Sequence, residues 1–134
     1  METKGMALEI DHGVGGGVSF QIGIEAGSGA GRLVIVFTGA RGKSKWRSAP
    51  MKLDVFGVGF LVMALRGVHE GAHISEGAAY IRLECPKEQY RLVYKGKSKG
   101  KDAEARVNLT DVEMYTLATV LEQWMGVIAV GSID

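Results

Sequence analysis

The sequence is poor in cysteine, in proline and in long apolar runs. Cys85 is the sole cysteine among 134 residues, so no internal disulfide framework can form and a reducing compartment is expected. With no catalytic-cysteine context around it, Cys85 reads as a small core residue at a strand end. Two prolines stand against twenty glycines, a balance that favours tight turns between strands over a disordered chain. No apolar stretch reaches membrane-spanning length; the longest, residues 55–65, is too short and holds two glycines. The first six residues lack a charged-then-apolar export pattern, so a cytoplasmic protein with no membrane partner is expected. The length fits one core and leaves no room for a second domain.

Charge of one sign is scarce overall but unevenly placed. The net charge is +1. Residues 41–52 hold five Lys/Arg and no acid, and residues 87–106 hold seven Lys/Arg against three acids, leaving four cations and twelve acids for the rest. Such segregation points to an anionic partner, although exposed lysine-rich turns that bind nothing also produce it.

Hydrophobic periodicity supplies the elements. Val18, Phe20, Ile22 and Ile24 alternate with Ser19, Gln21, Gly23 and Glu25, the period of a half-buried strand. Residues 32–41 are apolar and β-branched and read as a more buried strand, followed by a turn at 42–45. Residues 51–53 end a further strand, Asp54 caps a helix, and Gly67 stops it. The order then recurs: strands at 80–85, 90–95 and 105–109, a basic turn at 96–101, and Thr110-Asp111-Val112-Glu113 as a capping box opening a second helix. Gly-Lys-Ser-Lys occurs at 42–45 and at 96–99, and Met51-Lys52-Leu53-Asp54 parallels Val107-Asn108-Leu109-Thr110. The chain is therefore read as one α+β domain over 1–134, built from two strand-strand-strand-helix repeats forming antiparallel sheets with two helices. The first half spans about 7–67, a linker 68–77, and the second half about 78–130. The first helix is apolar nearly all round, more than a monomer of this size buries, so a homo-oligomer with helices at its interface is expected.

Two constellations bear on function. In the first, Arg41, Lys43, Lys45, Arg47 and Lys52 surround Trp46, while Arg91, Lys95, Lys97, Lys99 and Lys101 lie near Tyr90 and Tyr94. Cations that follow phosphates beside aromatic faces that stack on bases are what single-stranded nucleic acid requires. Each aromatic reads equally well as core packing. In the second, His69-Glu70-Gly71-Ala72-His73 fits the H-E-x-x-H zinc pattern, but glycines 67, 71 and 77 oppose the helix it needs, and Glu76 is the only nearby third ligand. Two exposed histidines in a linker is the simpler reading. The glycines at 13–17 and the Gly-Lys-Ser pairs lack the rest of a phosphate loop. No catalytic residue, metal or cofactor is assigned.

In order and spacing, residues 20–128 resemble the Whirly-type single-stranded-DNA-binding fold, a relative of the PC4-like coactivators and mitochondrial RNA-binding proteins. The resemblance rests on residues 32–37, the basic turn with Trp46, Met51-Lys52-Leu53-Asp54 and its helix. It continues through strands 80–85 and 90–94, Val107-Asn108-Leu109-Thr110, and the closing Val120-Leu121-Glu122-Gln123-Trp124-Met125-Gly126. The sequence differs from plant Whirly proteins at 20–26, where Gln21 and Glu25 replace a lysine-rich strand motif. The resemblance implies two sheets of four antiparallel strands with two helices, a homotetramer assembled through the helices, and sequence-tolerant binding of single strands at sheet edges. The expected function is non-enzymatic: coating single-stranded DNA in replication, recombination or repair, in a bacterial or phage setting. An RNA chaperone or transcription cofactor on the same fold is the alternative; a zinc hydrolase and a purely structural oligomer stand further back.

Overall fold

A computed structural model describes residues 2–13, 16–24, 31–41, 44–67, 73–85 and 89–130. The first half builds an antiparallel sheet from β1 (Glu2–Asp11), β2 (Gly17–Ile24), β3 (Gly31–Arg41), β4 (Ser44–Arg47) and β5 (Met51–Leu53), followed by α1 (Val55–Leu65). The strand order is β1-β2-β3-β4, with β5 also paired to β3. The second half builds a sheet in the order β6-β7-β8-β9 from β6 (His73–Glu76), β7 (Ala79–Glu84), β8 (Tyr90–Ser98) and β9 (Lys101–Leu109), followed by α2 (Asp111–Val130). Two antiparallel sheets and two helices are the fold class the sequence implied. No helix among the described residues is long and apolar enough to cross a membrane.

Four local expectations need correction, the first being the turn expected at 42–45, whose Ser44 and Lys45 already belong to β4 and pair with Arg41 and Ala40. β1 was not expected, because Leu8 and Ile10 are too short an alternation to mark a strand; it forms by pairing with β2 through Leu8↔Phe20 and Ile10↔Val18. The span read as a linker contains β6, which pairs antiparallel with β7 and buries Ile74. The basic turn expected at 96–101 is mostly strand: β8 and β9 stay paired to Ser98↔Lys101, leaving only Lys99 and Gly100 as the loop. Both have positive φ, +50° and +79°, the two-residue turn whose twist matches that of the flanking strands.

The helix ends follow the sequence. Asp54 Oδ1 accepts from the Gly57 N–H at 2.9 Å, and α1 ends just before Gly67. At α2, Thr110 Oγ1 accepts from the Glu113 N–H at 3.1 Å while Glu113 Oε1 accepts from the Thr110 N–H at 2.9 Å, completing the capping box. The other Glu113 carboxylate oxygen lies 2.7 Å from His12 Nε2, tying the end of the first hairpin to the start of the last helix.

One continuous core joins the halves. Phe20, Ile22, Leu33, Ile35 and Phe37 face Leu92, Tyr94, Val107 and the helix residues Leu61, Leu117 and Leu121. The Phe37 and Tyr94 rings stack at 5.0 Å between sheets. Cys85, by contrast, is exposed just beyond β7 and not a core residue. The apolar first helix buries Val58, Leu61, Val62, Ala64 and Leu65 but leaves Phe56 82% exposed, with Phe60 and Met63 beside it on the same face.

Candidate nucleic-acid interface

The two basic segments meet. Thr38 pairs with Arg47 and Ile35 with Met51, so residues 36–37 of β3 lie opposite residues 48–50. That extra residue is a bulge. Ser48 keeps the ladder intact: its N–H donates to the Phe37 carbonyl at 2.8 Å and its buried hydroxyl accepts from the Phe37 N–H at 2.9 Å. Pro50 has no N–H to give. Ala49 is turned out of the sheet, and its N–H donates to the Lys97 carbonyl of β8 at 2.8 Å. The Ser98 hydroxyl donates to the Arg47 carbonyl alongside. Segments about fifty residues apart in sequence thus share one rim.

Tyr94 holds that rim from inside. It is 1% exposed, and its hydroxyl lies 3.2 Å from the Lys97 nitrogen, accepting that N–H. A Cβ on Gly96 would fall 2.1 Å from the Tyr94 hydroxyl, so only glycine lets the ring pass beneath the strand. The assignment of Tyr94 as a base-stacking residue is therefore withdrawn: its ring is core, and it positions the hairpin. Tyr90 is half-buried at the start of β8 and packs against the same core. Trp46 is half-buried on β4 and packs against the core margin over Gly39, where a Cβ would stand 2.5–2.8 Å from its indole atoms.

The cations divide by partner. Arg91 pairs with Glu84, which also takes Arg82 at 2.8 Å; the Arg91 guanidinium, with Arg82 behind it, holds the Glu84 carboxyl below its ordinary value against the opposing effect of desolvation. Lys97 pairs with Asp102 at 2.5 Å and holds that carboxyl down as well. Arg47, Lys52, Lys95, Lys99 and Lys101 are exposed and make no ion pair with any described carboxylate. The Lys52 backbone N–H donates to Glu76 Oε1 at 2.9 Å. Lys43 lies outside the described residues; for Arg41 and Lys45 only the backbone, at the ends of β3 and β4, is described.

The outward face of the second sheet carries residues that the sequence reading passed over. The register sets Ser75, Tyr80, Lys95 and Glu104 in one cross-strand row, and His73, Arg82, Val93 and Arg106 in the next. The period-two alternation of Tyr80, Arg82 and Glu84 with Ile81 and Leu83 carried this signal. His73 opens a strand and its ring stacks on Tyr80 at 4.4 Å. It does not lie on a helix, as the zinc motif requires; His69 and Glu70 lie outside the described residues. Among the described residues no group of three His, Cys, Asp or Glu could hold a metal.

A strand-built half ending in a helix, made twice and closed around one core, defines the class of this protein: the Whirly-type fold. Solved structures with this architecture include WHY1 from Arabidopsis thaliana, at TM-score 0.65 and 14% identity over 94% of this chain and 85% of that one. WHY3 from the same plant matches at 0.61 and 17% over 90% and 86%. Trypanosoma bruciei MRP1/MRP2 matches at 0.61 and 13% over 87% and 81%. No family model and no curated protein matches the sequence.

Proposed function

We propose that this chain binds single-stranded nucleic acid with little regard to sequence, as a non-enzymatic protein of the cytoplasm. The observation that carries the reading is the shared rim. The bulge at residues 48–50 joins two basic segments by the Ala49-to-Lys97 and Ser98-to-Arg47 hydrogen bonds, which brings Arg47 to the hairpin that carries Lys99 and Lys101, with Lys52 further along the first segment; none of the four has a carboxylate partner among the described residues. Exposed cations without partners gain most from a phosphate, because no existing ion pair has to be broken. Half-buried Trp46, next to Arg47 on β4, borders the same region, whereas Tyr90 stands at the far end of β8. The fold shared with Whirly structures supports the reading.

The protein acts as a homotetramer assembled through its helices. Phe56, Phe60 and Met63 of α1 and Val112 and Tyr115 of α2 are exposed large apolar side chains, and water-facing apolar surface of this kind is stabilised by a partner. The natural ligand is single-stranded DNA exposed during replication, recombination or repair.

The test is a fluorescence-anisotropy titration of a labelled single strand and its duplex over several salt concentrations. Tight, salt-sensitive binding that prefers the single strand supports the proposal. No binding of either form at low salt removes it. Competition between matched DNA and RNA strands decides between a DNA-coating role and an RNA chaperone.

A further inference from the structure

Beside the basic rim, the second sheet has a notch. The β8–β9 hairpin extends past the turn between β6 and β7, and the step between them leaves a cavity of about 620 Å³ lined by Ala78, Tyr80, Lys95, Lys97, Asp102 and Glu104. Its size falls in the range of small-ligand pockets.

The charges of the notch cancel. Lys95 and Lys97 on β8 face Glu104 and Asp102 on β9 in register, and Lys97 is already paired with Asp102. A phosphate gains little there, since two carboxylates line the same space. A neutral group with a π face and hydrogen-bond donors is favoured instead. Tyr80 supplies the aromatic surface, and its ring is held by the stack on His73. Glu104, paired with Arg106 at 2.6 Å, still has acceptor capacity, because an ionised carboxylate offers about four lone-pair sites. Lys99 and Lys101 stand at the hairpin tip, outside the notch, where they can hold the flanking phosphates.

We propose that this notch takes one unpaired, amino-bearing nucleobase of the bound strand, stacked on Tyr80 with its exocyclic amino group donating to Glu104. The proposal rests on the nucleic-acid reading above and adds the feature that makes the site reject a duplex: a base already paired and stacked does not present its face to Tyr80. Cytosine, adenine and guanine carry the amino group; thymine does not.

The experiment compares oligo-dC and oligo-dT binding to the wild type, Tyr80→Ala and Tyr80→Phe across a salt series. The wild type is expected to prefer oligo-dC. Tyr80→Ala should lose about tenfold in oligo-dC affinity, as one lost base stack does, with an unchanged salt slope because no phosphate contact is removed. Tyr80→Phe should bind like the wild type. Should Tyr80→Ala fail to fold, Ala78→Gln blocks the notch from an exposed turn position and should give the same loss. If the Tyr80 and Ala78 variants keep full oligo-dC affinity while Lys99→Gln/Lys101→Gln loses it, the strand binds but the notch is empty and this inference falls alone. If the wild type binds neither strand, the nucleic-acid reading falls and takes the notch with it.

Discussion

Replacing Lys99 and Lys101 together by glutamine isolates the electrostatic contribution of the hairpin tip. Both side chains are exposed, neither has a carboxylate partner among the described residues, and they flank the two-residue loop. Such surface changes alter stability by no more than about 0.5 kcal/mol, so lost binding is lost contact. For single strands, log affinity against log salt falls with a slope of about 0.7 per phosphate neutralised. Four engaged cations (Arg47, Lys52, Lys99 and Lys101) give a slope of roughly −2.8, an affinity loss of about fiftyfold between 50 and 200 mM salt. Removing two leaves about −1.4, a loss of roughly sevenfold over the same range. Anisotropy titrations at four or five salt concentrations read the slope directly. A double variant that binds more weakly but keeps the wild-type slope would refute the reasoning, because weaker binding without fewer released counterions means the tip acts through the fold.

Three further perturbations test other parts of the structure. Glu113 is raised by partial burial but lowered more by the Thr110 N–H and by His12, so its carboxyl sits below the ordinary 4.5. Its stabilising contribution is therefore complete above that value and is lost as the pH falls through the lower folded-state value. Glu113→Gln keeps an acceptor for the Thr110 N–H but loses the charge beside His12 and the helix N-terminus, so it should cost about 0.3–1 kcal/mol at neutral pH and flatten the acid limb of urea-unfolding stability; identical acid limbs would refute the assignment. Phe56→Glu/Phe60→Glu places charge on the exposed face of α1 and should convert the proposed tetramer to folded monomer in sedimentation velocity; a wild type that is itself monomeric, or a variant assembly that is unchanged, would refute assembly through this face. Gly39→Ala puts a methyl 2.5 Å from the Trp46 indole, and should cost about 1–3 kcal/mol with a red-shifted tryptophan emission; an unchanged melting point and spectrum would mean the ring does not rest there.

The legible parts of this chain are those whose partners lie within a few residues. The Asp54 cap, the Thr110–Glu113 capping box and the strands β2 and β3 all announce themselves by local chemistry or by a sustained period of two. β1 and β6 are strands because a neighbour completes their hydrogen bonds, and each offers too few apolar residues to mark a period. The hairpin arms at 96–98 and 101–103 read as a loop because most of their residues are polar or small, and Ala103 alone among them joins the core.

Tyr94 is a different kind of error, since its position was recoverable. The alternation rightly put Tyr90, Leu92 and Tyr94 on one face and Arg91, Val93 and Lys95 on the other. Two cations on the second face leave the first as the side that belongs to the core, because a lysine is rarely buried without a partner. What no local pattern holds is the meeting of the basic segments. It depends on one extra residue between Arg47 and Met51, on a proline that cannot donate, and on an Ala49 N–H that consequently points at Lys97. Each of these is visible in the sequence as an ordinary residue. Only the register of β3 against two strands turns them into a joint between sheets, and the candidate site exists because that joint brings Arg47 to the hairpin that carries Lys99 and Lys101.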